Sequence, residues 1–248
     1  MTTGTMKKLL LALLFAPLGV QAAATGYKLD RAPIQLNDVV SLQSGARTFV
    51  NYCLNCHSAQ YMRYNRLTDL GLTEAQIKDN LMFAAEKVGE TMKVSMSVKD
   101  GKAWFGVPPP DLSVIARSRG ADWLYTYLRT FYRDAKTATG WNNTVFPNAA
   151  MPHVLWTLQG ERRLEIVPHA DNAGHVSVEY KWSQLSKGAQ SAVEYDLTVR
   201  DLVNFLVYVG EPSASSRTPI GVVVLVVLGL LFVLAYAMKR EFWKDVKH

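Results

Sequence analysis

The chain has 248 residues, 49% of them hydrophobic, two cysteines, and a formal net charge of +6. The basic excess is spread out: Lys7 and Lys8 stand near the start, residues 23–218 hold 21 Lys/Arg against 19 Asp/Glu, and the last ten residues hold four against two. So balanced a central segment gives no support to nucleic-acid binding, and its 196 residues are enough for one well-filled core.

Residues 1–22 read as a secretory signal. Lys7 and Lys8 make a basic start, residues 9–15 are apolar, and Val20-Gln21-Ala22 offers small residues to a signal peptidase. Cleavage after Ala24 is the close alternative. The apolar run is too short for a membrane anchor, which needs about 20 residues. Residues 38–51 then read as a helix, with Gly45 and Phe49 on one face.

The helix leads into Cys53-Leu54-Asn55-Cys56-His57, the haem-attachment spacing. Two thiols three positions apart reach the two vinyl groups of one porphyrin. The adjacent histidine falls beneath the iron and ligates it. A thioredoxin-like redox pair would need a βαβ context that is missing. A zinc site would need further ligands. In an exported chain the two cysteines could also form a disulfide, but the adjacent histidine argues for haem.

The sixth position on the iron decides between electron transfer and ligand chemistry, and methionine favours the former. Met62 lies too close in sequence to His57 to reach the opposite face. Met82 falls in a helix-like stretch over 75–89, and Met92 and Met96 have the spacing of one helical face. Methionine at such positions is usually a core gap-filler. Met151 differs, because Pro147 and Pro152 flank it and hold an extended loop. From the residues alone Met151 leads, with Met92 and Met96 still open.

Residues 122–133 read as a third helix, with Trp123, Tyr127 and Phe131 in an aromatic stripe suited to core or haem edge. Residues 164–167 and 176–182 alternate as two strands joined by a turn at Asp171-Asn172-Ala173-Gly174. His153, His169 and His175 read as surface or structural residues. Residues 196–209 form a last soluble helix, with Asp196 as N-cap. In a cytochrome c fold the first and last helices cross closely, and Gly45 would admit Phe205 or Tyr208.

Residues 210–218 read as a short polar linker. Residues 220–238 are 19 positions without a charge, a helix of about 28 Å that matches a bilayer. Lys239, Arg240, Lys244 and Lys247 follow, which places the tail in the cytoplasm and the opposite side in the periplasm. The organisation expected is a signal over 1–22, a periplasmic haem domain over 23–218, a transmembrane helix over 219–238 and a cytoplasmic tail over 239–248.

Several segments taken together resemble cytochrome c1, the haem subunit of the ubiquinol–cytochrome c reductase (complex III), in its bacterial form. They are the Cys53–His57 motif, Pro108-Pro109-Pro110-Asp111-Leu112-Ser113, Ala150-Met151-Pro152, Glu194-Tyr195-Asp196 with Arg200-Asp201-Leu202, and Lys239-Arg240-Glu241-Phe242-Trp243-Lys244-Asp245. The resemblance covers most of the mature chain, in order. It implies a mainly α, cytochrome c-like haem domain with a small β-hairpin insertion and one C-terminal transmembrane helix. It implies one covalent haem c on Cys53 and Cys56, with His57 and Met151 as axial ligands. Arg119 would stand near a haem propionate, with Arg117 as the competing choice, and Pro109 and Pro110 would wall the pocket. The implied donor is a Rieske iron–sulfur subunit and the acceptor a soluble cytochrome c or similar carrier. Cytochrome b would pack on the anchor in a dimeric complex in the bacterial inner membrane. No acidic run for docking a basic carrier is evident. An independent tethered shuttle to a terminal oxidase is the alternative, although a nine-residue linker reaches only about 15–18 Å. A haem peroxidase would want an open iron, and often a second haem.

Overall fold

A computed structural model describes residues 27–94, 96–170 and 176–245. The expected signal, the turn at 171–174, His175 and the last three residues lie outside the described residues, as does the side chain of His169.

Helix α1 (Val39–Thr48) is capped by Asp38, whose carboxylate accepts from the Ser41 amide at 3.0 Å. One π-turn (Phe49–Cys53) continues it into the cysteine motif, a local widening often found at functional sites. There follow β1 (Ala59–Arg63), a 3-10 turn (Tyr64–Leu70), α2 (Glu74–Leu81), β2 (Thr91–Met92) and α3 (Val98–Phe105). Next come α4 (Ile115–Ser118), α5 (Ala121–Arg129), β3 (Phe131–Arg133), β4 (Trp141–Asn143) and α6 (Trp156–Gln159). A long hairpin, β5 (Gly160–Ala170) and β6 (Val176–Lys187), leads to α7 (Ala192–Gly210) and α8 (Ala214–Phe242). Among the described residues the strands pair as antiparallel two-stranded sheets: β1 with β2, β3 with β4, β5 with β6. The expected class holds: mainly α, a cytochrome c-like domain with a hairpin insertion and a C-terminal apolar helix.

The core is organised by the crossing of α1 and α7. A Cβ on Gly45 would lie 2.0 Å from the Asp201 carbonyl oxygen and 2.7 Å from Phe205 Cβ, so only glycine fits. Phe205, not Tyr208, takes that place, and its ring packs 5.6 Å from Phe49. A buried polar clasp fixes the register. Ser41 Oγ donates to Asp201 at 2.6 Å, and Asn204 Nδ2 donates to Ser41 Oγ at 2.9 Å. Helix α5 joins α7 through the Tyr195 hydroxyl, which donates to the Leu128 carbonyl at 2.8 Å.

Several expected boundaries move. Helix α7 begins four residues before Asp196, because Ser191 and Glu194 form a reciprocal capping box. Asp196 instead takes two bonds from Arg129, at 2.6 and 2.9 Å. The third helix stops at Arg129, and Phe131 to Arg133 turn into strand β3. Helix α2 stops just before Met82. Met92 lies in strand β2 and Met96 outside any helix, so they share no helical face. The hairpin strands run to 11 and 12 residues, well beyond the alternating stretch seen in sequence.

The expected linker is mostly helix. Only Glu211 to Ser213 separate α7 from α8, which absorbs the residues up to Thr218. Within the span Ser216–Phe242 the most apolar 18-residue stretch has a mean hydropathy of 2.9, and none of that stretch is buried. At 1.5 Å per residue that span is about 40 Å, enough for a bilayer with its interfaces.

Candidate functional site

The π-turn buries Cys53 and leaves Cys56 half-exposed at the edge of a cleft. The amides of Cys56 and His57 both bond the Cys53 carbonyl, at 3.0 and 2.8 Å, so the motif is one tight turn. The thiols are not joined to each other. Burial, and then the neighbouring Cys56, push the Cys53 thiol up to about 12. Burial pushes Cys56 up as well. Both are therefore neutral thiols rather than metal-binding thiolates.

His57 is oriented by the proline segment. Its Nδ1 lies 2.7 Å from the Pro110 carbonyl, which can only accept, so Nδ1 carries the proton. The Nε2 lone pair is left for a metal, the arrangement typical of ligating histidines. Burial lowers the His57 pKa, outweighing the Pro110 bond and the Asp111 charge, which raise it. The imidazole is neutral at pH 7, as a ligand must be.

The proline segment is itself zipped to the chain just after the motif. The Leu112 amide bonds the Ser58 carbonyl at 2.7 Å, and the Gln60 amide bonds Asp111 Oδ2 at 2.9 Å. The Tyr61 amide bonds Ser113 Oγ at 3.1 Å. Behind it, a Cβ on Gly101 would approach Pro109 Cδ to 2.8 Å.

The rest of the cleft's lining comes largely from α5, α7 and the loop before α6. Leu124, Tyr127, Leu202 and Leu206 give it an apolar surface, and Met151 completes it. The loop from Thr144 to Met151 hangs on two buried asparagines. Asn143 Oδ1 accepts from the amides of Val145 and Phe146 at 2.9 and 3.1 Å, and its Nδ2 donates to the Tyr127 carbonyl at 2.7 Å. Asn142 Oδ1 accepts from Asn148, which holds a left-handed φ of 60°. Asparagine tolerates that region better than most residues. The Tyr127 hydroxyl donates to Met151 Sδ at 3.5 Å. Burial raises the Tyr127 pKa well above the ordinary phenol range, so the hydroxyl stays a donor.

The structure brings most of the expected residues together. Cys53, Cys56, His57, Pro109, Pro110, Arg119 and Met151 all line one cleft of about 300 Å³. Arg119 lies over Trp123 at 5.3 Å and Phe146 at 5.8 Å. Arg117 faces Glu211 at 3.9 Å, outside the cleft. Among the described residues Met151 is the methionine that lines this cleft. Met62 and Met92 are sealed in the core, and Met96 packs beside Gly101. His153 is structural, as expected, but buried: its ring stacks 4.9 Å from Phe131 and its Nε2 meets Gln159 at 2.8 Å.

Sequence reasoning missed the two asparagines and the Tyr127 hydroxyl. The signal for the former was Asn142-Asn143 ahead of a proline loop, since Asn side chains commonly replace backbone partners there. Tyr127 was visible only as one ring in a stripe.

The residues fit a haem. They offer two thiols in a C-x-x-C-H turn, a histidine with Nε2 free, and a thioether across a largely apolar cleft. A larger cavity of about 630 Å³ lies by Arg129, Arg162 and Asp196, but polar ion pairs line it and it holds none of these donors. Among the described residues no cluster of three or more His, Cys, Asp or Glu could hold a bare metal ion.

A model of the Cytochrome C1 family matches residues 30–246. The chain is 47% identical to cytochrome c1 of Allochromatium vinosum, over 97% of this chain and all of that one. It is 48% identical to a protein of Nitrosomonas europaea named ammonia monooxygenase gamma subunit, over 97% of this chain and 98% of that one. Cytochrome c1 of Rhodospirillum rubrum is 25% identical over 85% of this chain and 84% of its own. The chain belongs to the cytochrome c1 family, membrane-anchored electron-transfer subunits of complex III whose cofactor is haem c.

Proposed function

We propose that Cys53 and Cys56 hold one haem c through thioethers, that His57 and Met151 close its two axial positions, and that the chain carries single electrons from a Rieske iron–sulfur subunit to a soluble cytochrome c or similar carrier. The observation that carries this reading is the His57 Nδ1 bond to Pro110, with Met151 lining the same cleft. Bound haem supplies a one-electron couple, and histidine–methionine ligation raises its potential. Pro110 fixes the ring of His57 and its tautomer. The apolar wall of Leu124, Leu202 and Leu206 keeps water from the iron side of the cleft. Arg119, stacked on Trp123 at the rim, places a positive charge for a propionate.

The domain is periplasmic in this reading. Residues 1–22 are the cleaved signal, 23–218 the haem domain, 219–238 the core of the membrane span and 239–248 a cytoplasmic tail in the bacterial inner membrane. The basic tail and the positive-inside rule support that direction. Cytochrome b packs on α8 within a dimeric respiratory complex, and only the assembled complex is the enzyme. The three-residue gap between α7 and α8 supports a subunit over a free-swinging tethered shuttle, which needs reach.

Purification in mild detergent tests this. The expected result is one covalent haem per chain, co-isolating with a b-type cytochrome and a Rieske protein. A chain isolated alone in that detergent and reducing an oxidase directly would favour the shuttle. The name of the Nitrosomonas relative points to a monooxygenase role instead. Two protein donors facing the iron favour electron transfer, and slow, weak binding of carbon monoxide or cyanide is expected. Rapid tight binding would mean an open iron and would overturn the reading.

A further inference from the structure

We propose that Tyr127 is a positioning residue for Met151: its hydroxyl donates a hydrogen bond to the thioether sulfur, aims the sulfur into the cleft and raises the potential of the site. The inference rests on Met151 being the axial ligand. The donor lies 3.5 Å from Sδ, and among the described residues the hydroxyl has no other hydrogen-bond partner.

The ring cannot easily turn away. Tyr127 is 8% exposed, stacked on Trp123 at 4.7 Å and set edge-on to Phe131 at 4.9 Å. The same residue also holds the loop, because its carbonyl accepts from Asn143, which accepts in turn from Val145 and Phe146. Side chain and main chain of one residue thus fix both the sulfur and the loop that carries it.

The electrostatic consequence has a definite sign. A thioether sulfur has two lone pairs, so one can accept the hydroxyl while the other faces iron. The positive end of the O–H dipole then points toward the metal side. It disfavours the extra positive charge of the oxidised state, so the reduced state gains. Outer-shell hydrogen bonds of this kind tune metal sites.

Tyr127→Phe in the purified complex tests this, because it keeps both ring contacts and removes only the donor. Haem content and melting midpoint, expected unchanged, control for folding. The redox midpoint is expected to fall, by less than about tenfold in the oxidised-to-reduced ratio (about 59 mV for a one-electron couple). The sulfur-to-iron charge-transfer band of the oxidised form should shift or weaken. An unchanged or higher midpoint in Tyr127→Phe, alongside a lowered one in Met151→Leu, overturns the inference and leaves the ligand assignment standing. No change in either variant overturns the ligand assignment, and this inference with it.

Discussion

On the His57 side of the cleft the chain is held by a ladder of single bonds, one each from Ser58, Gln60 and Tyr61 to the segment of Pro110 to Ser113. On the Met151 side the loop hangs from Asn142 and Asn143, each making several bonds in the interior. A distributed ladder near solvent tolerates loss of one rung, because water replaces the partner. A concentrated, buried anchor does not, because removing it strands several groups without water. The wall nearest the cysteine motif is therefore robust, and the Met151 loop is the one that a single side chain can dislodge.

The sharpest break is Met151→Leu. The haem is expected to stay attached through the His57 side, while the potential falls and carbon monoxide binds readily. Optical redox titration and ligand binding check both. A potential and spectrum like those of the native protein would show that the wall does not carry the ligand.

Asn143→Ala comes next. Asn143 is fully buried, and its loss leaves the amides of Val145 and Phe146 unsatisfied and takes one partner from the Tyr127 carbonyl, which keeps the Thr130 amide. A cost of about 3 kcal/mol is expected in denaturant unfolding, with a weakened methionine signature. A loss under about 1 kcal/mol would mean that the loop has other anchors.

Acid should loosen the same wall. His153 follows Met151 by two residues, and burial lowers its pKa to about 3 in the folded chain. Among the described residues its buried Nδ1 has no partner, consistent with a neutral ring. Unfolded, it titrates near 6.5 and binds the proton more readily. Stability is therefore present above about 6.5 and lost as pH falls toward 3, by about 2 kcal/mol at pH 5. Unfolding measured at pH 7 and pH 5 should show a smaller loss for His153→Phe than for the native chain. Equal losses would remove His153 from the account.

The smallest effect is expected at Asp111→Ala on the robust side. Its carboxylate caps only the amides of Gln60 and Ser113, near solvent, so a loss of about 1 kcal/mol is expected. A cost exceeding that of Asn143→Ala would invert the comparison between the two walls.

Much of the site was legible because it is contiguous. Cys53, Cys56 and His57 share one turn, and chemistry that needs adjacent residues leaves its spacing in the chain. Met151 was legible in part, through its flanking prolines; that Met92 is sealed in the core and Met96 lies beside Gly101, both off the cleft, is something no local pattern shows. Pro109 and Pro110 entered only through likeness to a family. Local signals misplaced Asp196, because a capping box at Ser191 and Glu194 won the helix start and Arg129 claimed the carboxylate. They also missed that a nominal linker would be drawn into α8.

By itself the sequence determined the haem-attachment spacing and the apolar span, since each is set by residues whose neighbours along the chain are their physical context; the class of fold and the crossing at Gly45 entered through likeness to a family. Tertiary structure alone decided which methionine lines the cleft with His57, which arginine reaches it, and what holds the Met151 loop. Those outcomes depend on side chains far apart in sequence competing for one buried space, and the partners become visible only when the chain is packed.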